Sequence, residues 1–288
     1  LFRRLFGPFA GARVIARSKH DSRHPVGYWH GTHRPLQCLY FLLPLLVAYE
    51  IGTLVLSLQG HAEVHRILAE SAIREFFGVF GVVSVHLPAI TVVVVLLGWH
   101  LARKGDPIAP RWPTLAGMLF ESIVLVAPLL IFQMLTQRAM QGSAGGELAG
   151  VWDALLAAGR ETAGEANGAA DDWRSGLLLS IGAGLYEELL FRLLAIALLG
   201  LLLEDVLALP RAWAALLAVA GSSLAFAGYH FWGTGTPIVA GRFAFYTLAG
   251  LYFAGVYMLR GFGVVVATHA LYDIVIVSAR ALDAAPLE

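Results

Sequence analysis

Two carboxylates and a guanidinium lie close together in an apolar part of the chain, at Glu187, Glu188 and Arg192. A charged side chain at the centre of a membrane-spanning helix costs roughly 2.5–3.5 kcal/mol, so these groups need partners. In an α-helix Glu188 and Arg192 are i, i+4 neighbours, and the pair can neutralise itself. Glu187 points about 140° away from Arg192 around the same helix. Its carboxylate therefore needs a partner from another helix, where it can take part in acid–base chemistry.

Two histidines further along the chain offer such partners. His230 follows Phe226 by four residues, and His269 precedes Asp273 by four, so the two ends of each motif share one helix face. Asp273 can accept a hydrogen bond from His269 or from a substrate, and Phe226 would form an apolar wall beside His230. One glutamate and two imidazoles on three helices are sufficient to activate water for attack on a carbonyl group.

Zinc is an alternative use of the same side chains, since glutamate and histidine are both zinc ligands. The chain has one cysteine, Cys38, which excludes a cysteine-rich metal site and an intramolecular disulfide. Motifs for nucleotide binding, zinc-metalloprotease and serine-nucleophile chemistry are absent. We therefore predict no cofactor, with zinc as the open alternative.

The elements that must position these residues are membrane-spanning helices. The 288-residue chain is 58% hydrophobic and 14% charged, which excludes an ordinary soluble protein. Its net charge is zero, so no basic field exists to bind nucleic acid. Apolar blocks of about 20 residues match the thickness of a bilayer core. The sequence predicts an all-α polytopic membrane helix bundle of about seven spans, near 36–58, 78–101, 115–136, 176–201, 212–232, 243–259 and 262–279.

The remaining segments set the domain organisation and the orientation. Segment 1–35 is rich in arginine with interleaved phenylalanines, which is typical of a basic membrane-surface segment or a positive tail that orients the first span. Residues 36–280 form one polytopic membrane domain. Within it, the segment 137–174 is predicted to be an outer loop, which is either a linker or a lid. Lysine and arginine are more numerous in the segments on the same side of the membrane as the N-terminus than in those on the other side. The cytoplasmic side of a membrane protein carries the excess of these residues, so the N-terminus is predicted to be cytoplasmic.

The three motifs resemble the CAAX protease and bacteriocin-processing family, which includes the prenyl-protein endopeptidase of the Rce type. They are Glu-Glu-x-x-x-Arg at 187–192, Phe-x-x-x-His at 226–230 and His-x-x-x-Asp at 269–273. Each pattern alone is weak, whereas three in order on separate predicted spans are specific. The resemblance covers about 175–280, the final four spans.

This resemblance implies a glutamate-dependent intramembrane endopeptidase. Glu187 and His230 match the residues that activate the water, and His269 and Asp273 match the pair that stabilises the oxyanion. Asp273 stands where the prenyl-protein proteases usually have asparagine, so a carboxylate there would act only when protonated or through His269. The resemblance therefore implies the reaction class of the family, whereas the difference at Asp273 argues against assuming its prenylated substrate.

Glu188 and Arg192 match the remaining motif positions and complete the candidate site. A structural ion pair between helices and a direct catalytic role both stay open for them. Glu50 and Glu121 also lie in predicted spans without a recognisable partner pattern, and hydrogen bonds between packed helices are the favoured interpretation.

We therefore predict an intramembrane endopeptidase that cleaves a membrane-associated protein or peptide near its end. Two alternatives from other classes are a non-proteolytic scaffold or immunity-type binding protein and a proton-coupled transporter, which also uses intramembrane acid–histidine pairs. Short loops favour a prokaryotic plasma membrane as its location.

Overall fold

Helices joined by loops make up the part of the chain that the structure describes. The computed structural model describes residues 27–59, 67–103, 106–141, 173–232 and 237–284, and no strand occurs among them. The helices are α1 (Tyr28–Gly31), α2 (Pro35–Leu58), α3 (Leu68–Gly78), α4 (Leu87–Ala102), α5 (Trp112–Val124), α6 (Val126–Gln141), α7 (Trp173–Glu188), α8 (Ile196–Leu201), α9 (Arg211–Tyr229), α10 (Ala240–Arg260) and α11 (Phe262–Ala284). The all-α prediction is confirmed for these residues. Most of the basic segment 1–35 and of the loop 137–174 lies outside them.

Four helical stretches are long and apolar enough to cross a membrane. They are Pro35–Leu58, Trp112–Thr136, Arg211–Tyr229 and Phe262–Leu282, and the shorter Leu87–Ala102 is also apolar. Many large apolar side chains on these helices are exposed, as expected where lipid rather than water surrounds the protein. The fold is that of an integral membrane protein. The count of seven spans and the cytoplasmic N-terminus stay predictions.

Two predicted spans differ from the observed helices. The block 78–101 is not one helix, because α3 ends at Gly78 and α4 begins only at Leu87, with Pro88 in its first turn. The span 115–136 is interrupted at Leu125, three residues before Pro128. Proline has no N–H to pair with the carbonyl four residues earlier, which weakens the helix at this point. The Tyr252 hydroxyl donates to the Leu125 carbonyl at 2.7 Å and so satisfies an acceptor at the break.

The helix that begins with α7 changes its winding after Glu188. Residues Leu189–Ala195 form a π-helix, α8 follows, and Leu202–Val206 form a second π-helical stretch. A regular α-helix over 176–201 was expected, and this expectation is wrong for the π-helical part. Such wide turns occur frequently at functional sites. Arg192 lies in the first of them.

An ion pair fixes the end of α10 against α5. Arg260 donates to both carboxylate oxygens of Glu121, with 2.6 Å from Nη2 to Oε2. The Tyr28 hydroxyl donates to the same carboxylate at 2.7 Å, and the Arg260 guanidinium lies 3.5 Å from the centroid of the Trp29 ring. Glu121 thus makes hydrogen bonds between packed helices, as expected, and one of its partners is the cation Arg260.

Glu50 likewise has a partner on the next apolar helix. Its Oε2 lies 2.5 Å from Nδ1 of His86, immediately before α4. This contact ties α2 to the start of α4. Both Glu50 and Glu121 therefore hold helices together, and neither of these contacts involves the candidate site residues.

Candidate active site

The candidate active site is built on the last turn of α7, which packs directly against α11. A Cβ atom at Gly184 would lie 2.7 Å from the carbonyl oxygen of Val266 and 2.8 Å from Cβ of Ala270. Only glycine lets the two backbones approach this closely. One turn later Glu187 and Glu188 are buried, with 5% and 0% of their surface exposed. The close approach therefore places both carboxylates at the α7–α11 contact.

We expect the substitution Gly184→Ala to push α7 and α11 apart, since backbone atoms lie too close to the added methyl group. Overpacking of this kind costs about 1–3 kcal/mol. The midpoint of thermal unfolding in detergent should fall, and catalytic activity should fall with it. Gly255→Ala is the matched control, because no atom lies within 4 Å of a Cβ at that helical position. An unchanged midpoint in Gly184→Ala would contradict the tight contact.

Glu187 lies between the two histidines predicted from the sequence. Its Oε2 atom is 4.0 Å from Nε2 of His230 and 3.9 Å from Nε2 of His269. The three side chains come from α7, the residue that follows α9, and α11. The structure thus brings together residues that are up to 82 positions apart in the sequence.

The orientation of His230 is set by a backbone carbonyl and an aromatic ring. Its Nδ1 lies 2.8 Å from the carbonyl oxygen of Phe226, which can only accept a hydrogen bond. Nδ1 therefore carries a proton, and in the neutral ring Nε2 presents a lone pair toward Glu187. Tyr246 stacks on the imidazole at a centroid distance of 4.0 Å, and Phe226 contacts it edge-on at 4.6 Å.

His269 is held by carboxylates at both ring nitrogens. Its Nδ1 lies 2.7 Å from Oε1 of Glu188, and its Nε2 lies 3.4 Å from Oδ2 of Asp273. The ring also stacks on Phe253 at a centroid distance of 4.5 Å. Both nitrogens can donate together only in the protonated imidazole. The surroundings of His269 therefore suit a cationic hydrogen-bond donor.

Glu188 and Arg192 form a buried ion pair behind His269. Arg192 Nε is 3.1 Å from Glu188 Oε2, and neither residue has any exposed surface. The guanidinium also lies 4.2 Å from the centroid of the Phe226 ring and 5.3 Å from that of Phe253. Its Nη2 donates to the Gly250 carbonyl at 3.4 Å. Arg192 thus contacts the aromatic rings that pack on both histidines, and Glu188 contacts His269 directly.

Tyr229 is a neighbour of Glu187 that the motifs did not identify. Its hydroxyl contacts the Glu187 carboxyl group and accepts a hydrogen bond from the Ala69 N–H at 2.9 Å. Glu187 Oε2 itself is buried and has no hydrogen-bond partner among the described residues. This oxygen therefore faces the two histidines with its acceptor capacity unused.

The aromatic residues around the histidines were also missing from the sequence prediction, apart from Phe226. Tyr246 and Phe253 come from α10, a helix to which no motif was assigned. Their seven-residue spacing places both on one face of α10, which is a weak signal because apolar helices often repeat aromatics in this way.

The arrangement does not match that of a metal site. Over the described ranges, no group of three or more His, Cys, Asp or Glu side chains is placed so that it could hold a metal ion. Zinc therefore stays an alternative, and the absence of a cofactor stays a prediction.

Comparison with known proteins supports the family resemblance. Residues 170–275 match the family model described as type II CAAX prenyl endopeptidase, Rce1-like. No curated protein and no solved structure matches the chain. The matched segment contains all three motifs, from Glu187 to Asp273, together with every residue placed above around the two histidines except Ala69. The part of the chain that carries the candidate site is therefore similar to the CAAX-processing membrane proteases.

Proposed function

We propose that this protein is an intramembrane endopeptidase that hydrolyses a peptide bond near the end of a membrane-associated protein or peptide. The match of residues 170–275 to a protease family model supports the general activity. One observation supports the mechanism: the Nε2 atoms of His230 and His269 both lie within 4.0 Å of the buried Oε2 atom of Glu187.

The attacking water fits between Glu187 and His230. A separation of 4.0 Å is too long for a direct hydrogen bond, and a water molecule bridges two acceptors at such a distance. Glu187 Oε2 and the His230 Nε2 lone pair are both acceptors, so the water donates one hydrogen to each. Its oxygen lone pairs are then free to attack the scissile carbonyl carbon.

Glu187 acts as the general base in this step. The carboxylate takes a proton from the water as the oxygen–carbon bond forms, which leaves a tetrahedral intermediate with one negative oxygen. When the carbon–nitrogen bond breaks, the same proton passes to the leaving amine. The products are a new carboxyl terminus and a released peptide with a new amino terminus, and Glu187 returns to its starting form.

His269 stabilises the negative oxygen of the intermediate. Its Nε2–H, held in place by the Glu188 contact at Nδ1, can donate to that oxygen. Asp273 lies 3.4 Å from the same nitrogen and accepts its single hydrogen until the oxyanion forms and replaces it as acceptor. In this role Asp273 acts through His269, so its negative charge does not face the oxyanion directly.

We expect the substitution Asp273→Asn to preserve most of the activity, with a change in kcat/KM of less than about tenfold. An asparagine oxygen still accepts from His269, and its N–H₂ group can donate to the oxyanion. The steady-state kinetics of a cleaved peptide test this. A loss as large as that caused by removal of Glu187 would show that the carboxylate itself performs an essential proton transfer.

The decisive experiment for the function is mass spectrometry of membrane proteins and peptides incubated with the purified protein. A protease shortens a substrate by a terminal peptide, and the Glu187→Gln variant should not. The assay is run with and without a chelator, and activity restored by zinc after chelation would replace the metal-free mechanism. Substrate-dependent proton flux in vesicles without cleavage would favour a transporter, and binding alone would favour a scaffold.

The substrate and the membrane are also proposals. The name of the matched family model refers to prenylated proteins that end in a CAAX sequence. A farnesylated peptide with this terminus is therefore the first probe, and an unprenylated peptide is its comparison. We further propose the prokaryotic plasma membrane as the location, because most of the loops between predicted spans are short.

A further inference from the structure

Arg280 is a cation near the candidate active site that has no role in the mechanism above. It lies on α11, seven residues after Asp273 and eleven after His269, so all three share one face of the helix. Its electrostatic neighbours are Asp273, Tyr246 and Tyr272. Arg280 therefore lies on the face of α11 that carries His269 and Asp273, close to Tyr246.

Two nitrogens of this guanidinium are buried and unused. Arg280 Nε and Nη2 have no hydrogen-bond partner among the described residues. These two atoms form the side of the guanidinium that binds a carboxylate with two parallel hydrogen bonds. Buried donors without an acceptor are costly, so such a pair indicates a ligand that supplies both acceptors.

Arg280 lies further along α11 than the candidate catalytic residues. Eleven residues of helix separate His269 from Arg280, a rise of about 16.5 Å. Side chains on a helix lean toward its N-terminus, so the guanidinium points back toward Asp273 and His269. A carboxylate bound at Arg280 is therefore only a few extended residues from a carbonyl bound at His269.

We infer that Arg280 binds the free carboxylate at the C-terminus of the substrate and thereby favours cleavage near that end. This inference rests on the proposed peptidase function and adds a specificity-determining residue to it. Arg280 lies beyond residue 275, where the match to the family model ends. Tyr246, which stacks on His230, joins the carboxylate site to the water site.

The test compares two farnesylated CAAX peptides that differ only in a terminal carboxylate or a terminal carboxamide. The wild-type protein should prefer the carboxylate peptide by about ten- to hundredfold in kcat/KM, mainly through KM, as a paired charge-assisted hydrogen bond predicts. In Arg280→Gln this preference should fall to about twofold or less, and Arg280→Lys should keep part of it. Arg138→Gln, at an exposed arginine of α6, is the control and should keep the full preference.

A second measurement separates this inference from the peptidase function. Fluorescence anisotropy measures the binding of labelled forms of both peptides to Glu187→Gln, with and without Arg280→Gln, and needs no catalysis. A carboxylate preference that depends on Arg280 without any cleavage by the wild type would support Arg280 and refute the peptidase function. Cleavage of both peptides at equal rates, or equal losses of both in Arg280→Gln, would overturn the Arg280 inference alone. Equal binding of the two peptides, or no binding of either, would also overturn it.

Discussion

Replacing Glu187 by glutamine is expected to lower the rate of cleavage by about 10²–10⁴-fold, the usual contribution of a general base. Glutamine has the same size and can still accept a hydrogen bond from the water, but it cannot take the proton. The neighbouring Tyr229 hydroxyl can still contact the amide. The protein should therefore insert, purify and unfold as the wild type does, and single-turnover kinetics should isolate the defect in the chemical step.

The matched control for this variant is Glu75→Gln, at an exposed glutamate of α3. It changes the same chemical group and should leave kcat/KM unchanged. Full activity in Glu187→Gln would refute the role of Glu187 as base. A large fall in the unfolding midpoint would instead point to a structural role.

The largest effect on stability is expected from Arg192→Met. Removal of one member of a buried ion pair costs about 3–5 kcal/mol, because the other charge is left without its partner. Among the described residues, Glu188 would keep only His269 as a polar contact, and the Gly250 carbonyl would lose a donor. The yield of folded protein in detergent and its midpoint of thermal unfolding should both fall markedly.

A double variant separates the lost charge pair from lost packing. Glu188→Gln combined with Arg192→Met removes both charges, so it should recover part of the stability lost in Arg192→Met alone. Arg138→Met is the control at an exposed position and should have little effect. A double variant that is less stable than Arg192→Met would contradict the ion pair as the source of the loss.

Sequence reasoning identified the charged residues and histidines that lie together better than it identified the side chains around them. Local spacing is enough to place Glu188 beside Arg192, and a charge inside an apolar helix requires a partner wherever it occurs. The need of Glu187 for partners from other helices follows from the same argument. His230 and His269 were candidate partners from their own motifs, and the order of the three motifs in the resemblance supported that choice, since helix spacing alone cannot tell which spans are neighbours.

Contacts between distant helices are where sequence reasoning fails. The pairing of Glu121 with Arg260 joins residues 139 positions apart, and nothing in either local pattern indicates the other. The same holds for Tyr229, whose hydroxyl reaches Glu187 because α9 packs against Leu189–Ala195, the stretch that follows α7. Such contacts depend on which helix faces pack together, and this is a property of the whole bundle.

Backbone irregularities were also missed, for a related reason. The break at Leu125 has a local cause in Pro128, but its carbonyl is satisfied by Tyr252 from another helix. The π-helical turns after Glu188 have no proline or glycine within Leu189–Ala195 to indicate them. The π-helical turn instead coincides with the contacts that Arg192 makes to Glu188 and to the Gly250 carbonyl.

The widened turn after Glu188 also limits how the length of this part of the chain can vary. In a π-helix the backbone closes each turn on the fifth residue instead of the fourth, so the stretch holds more residues per turn than an α-helix of equal rise. A deletion of one residue between positions 189 and 195 would therefore let this stretch close as an α-helix, and the residues after it would keep their facing. The same deletion in the regular α-helix on either side would rotate everything after it by about 100°. We expect a homologue that is shorter by one residue in this helix to lack it at the widened turn and to have a regular α-helix there.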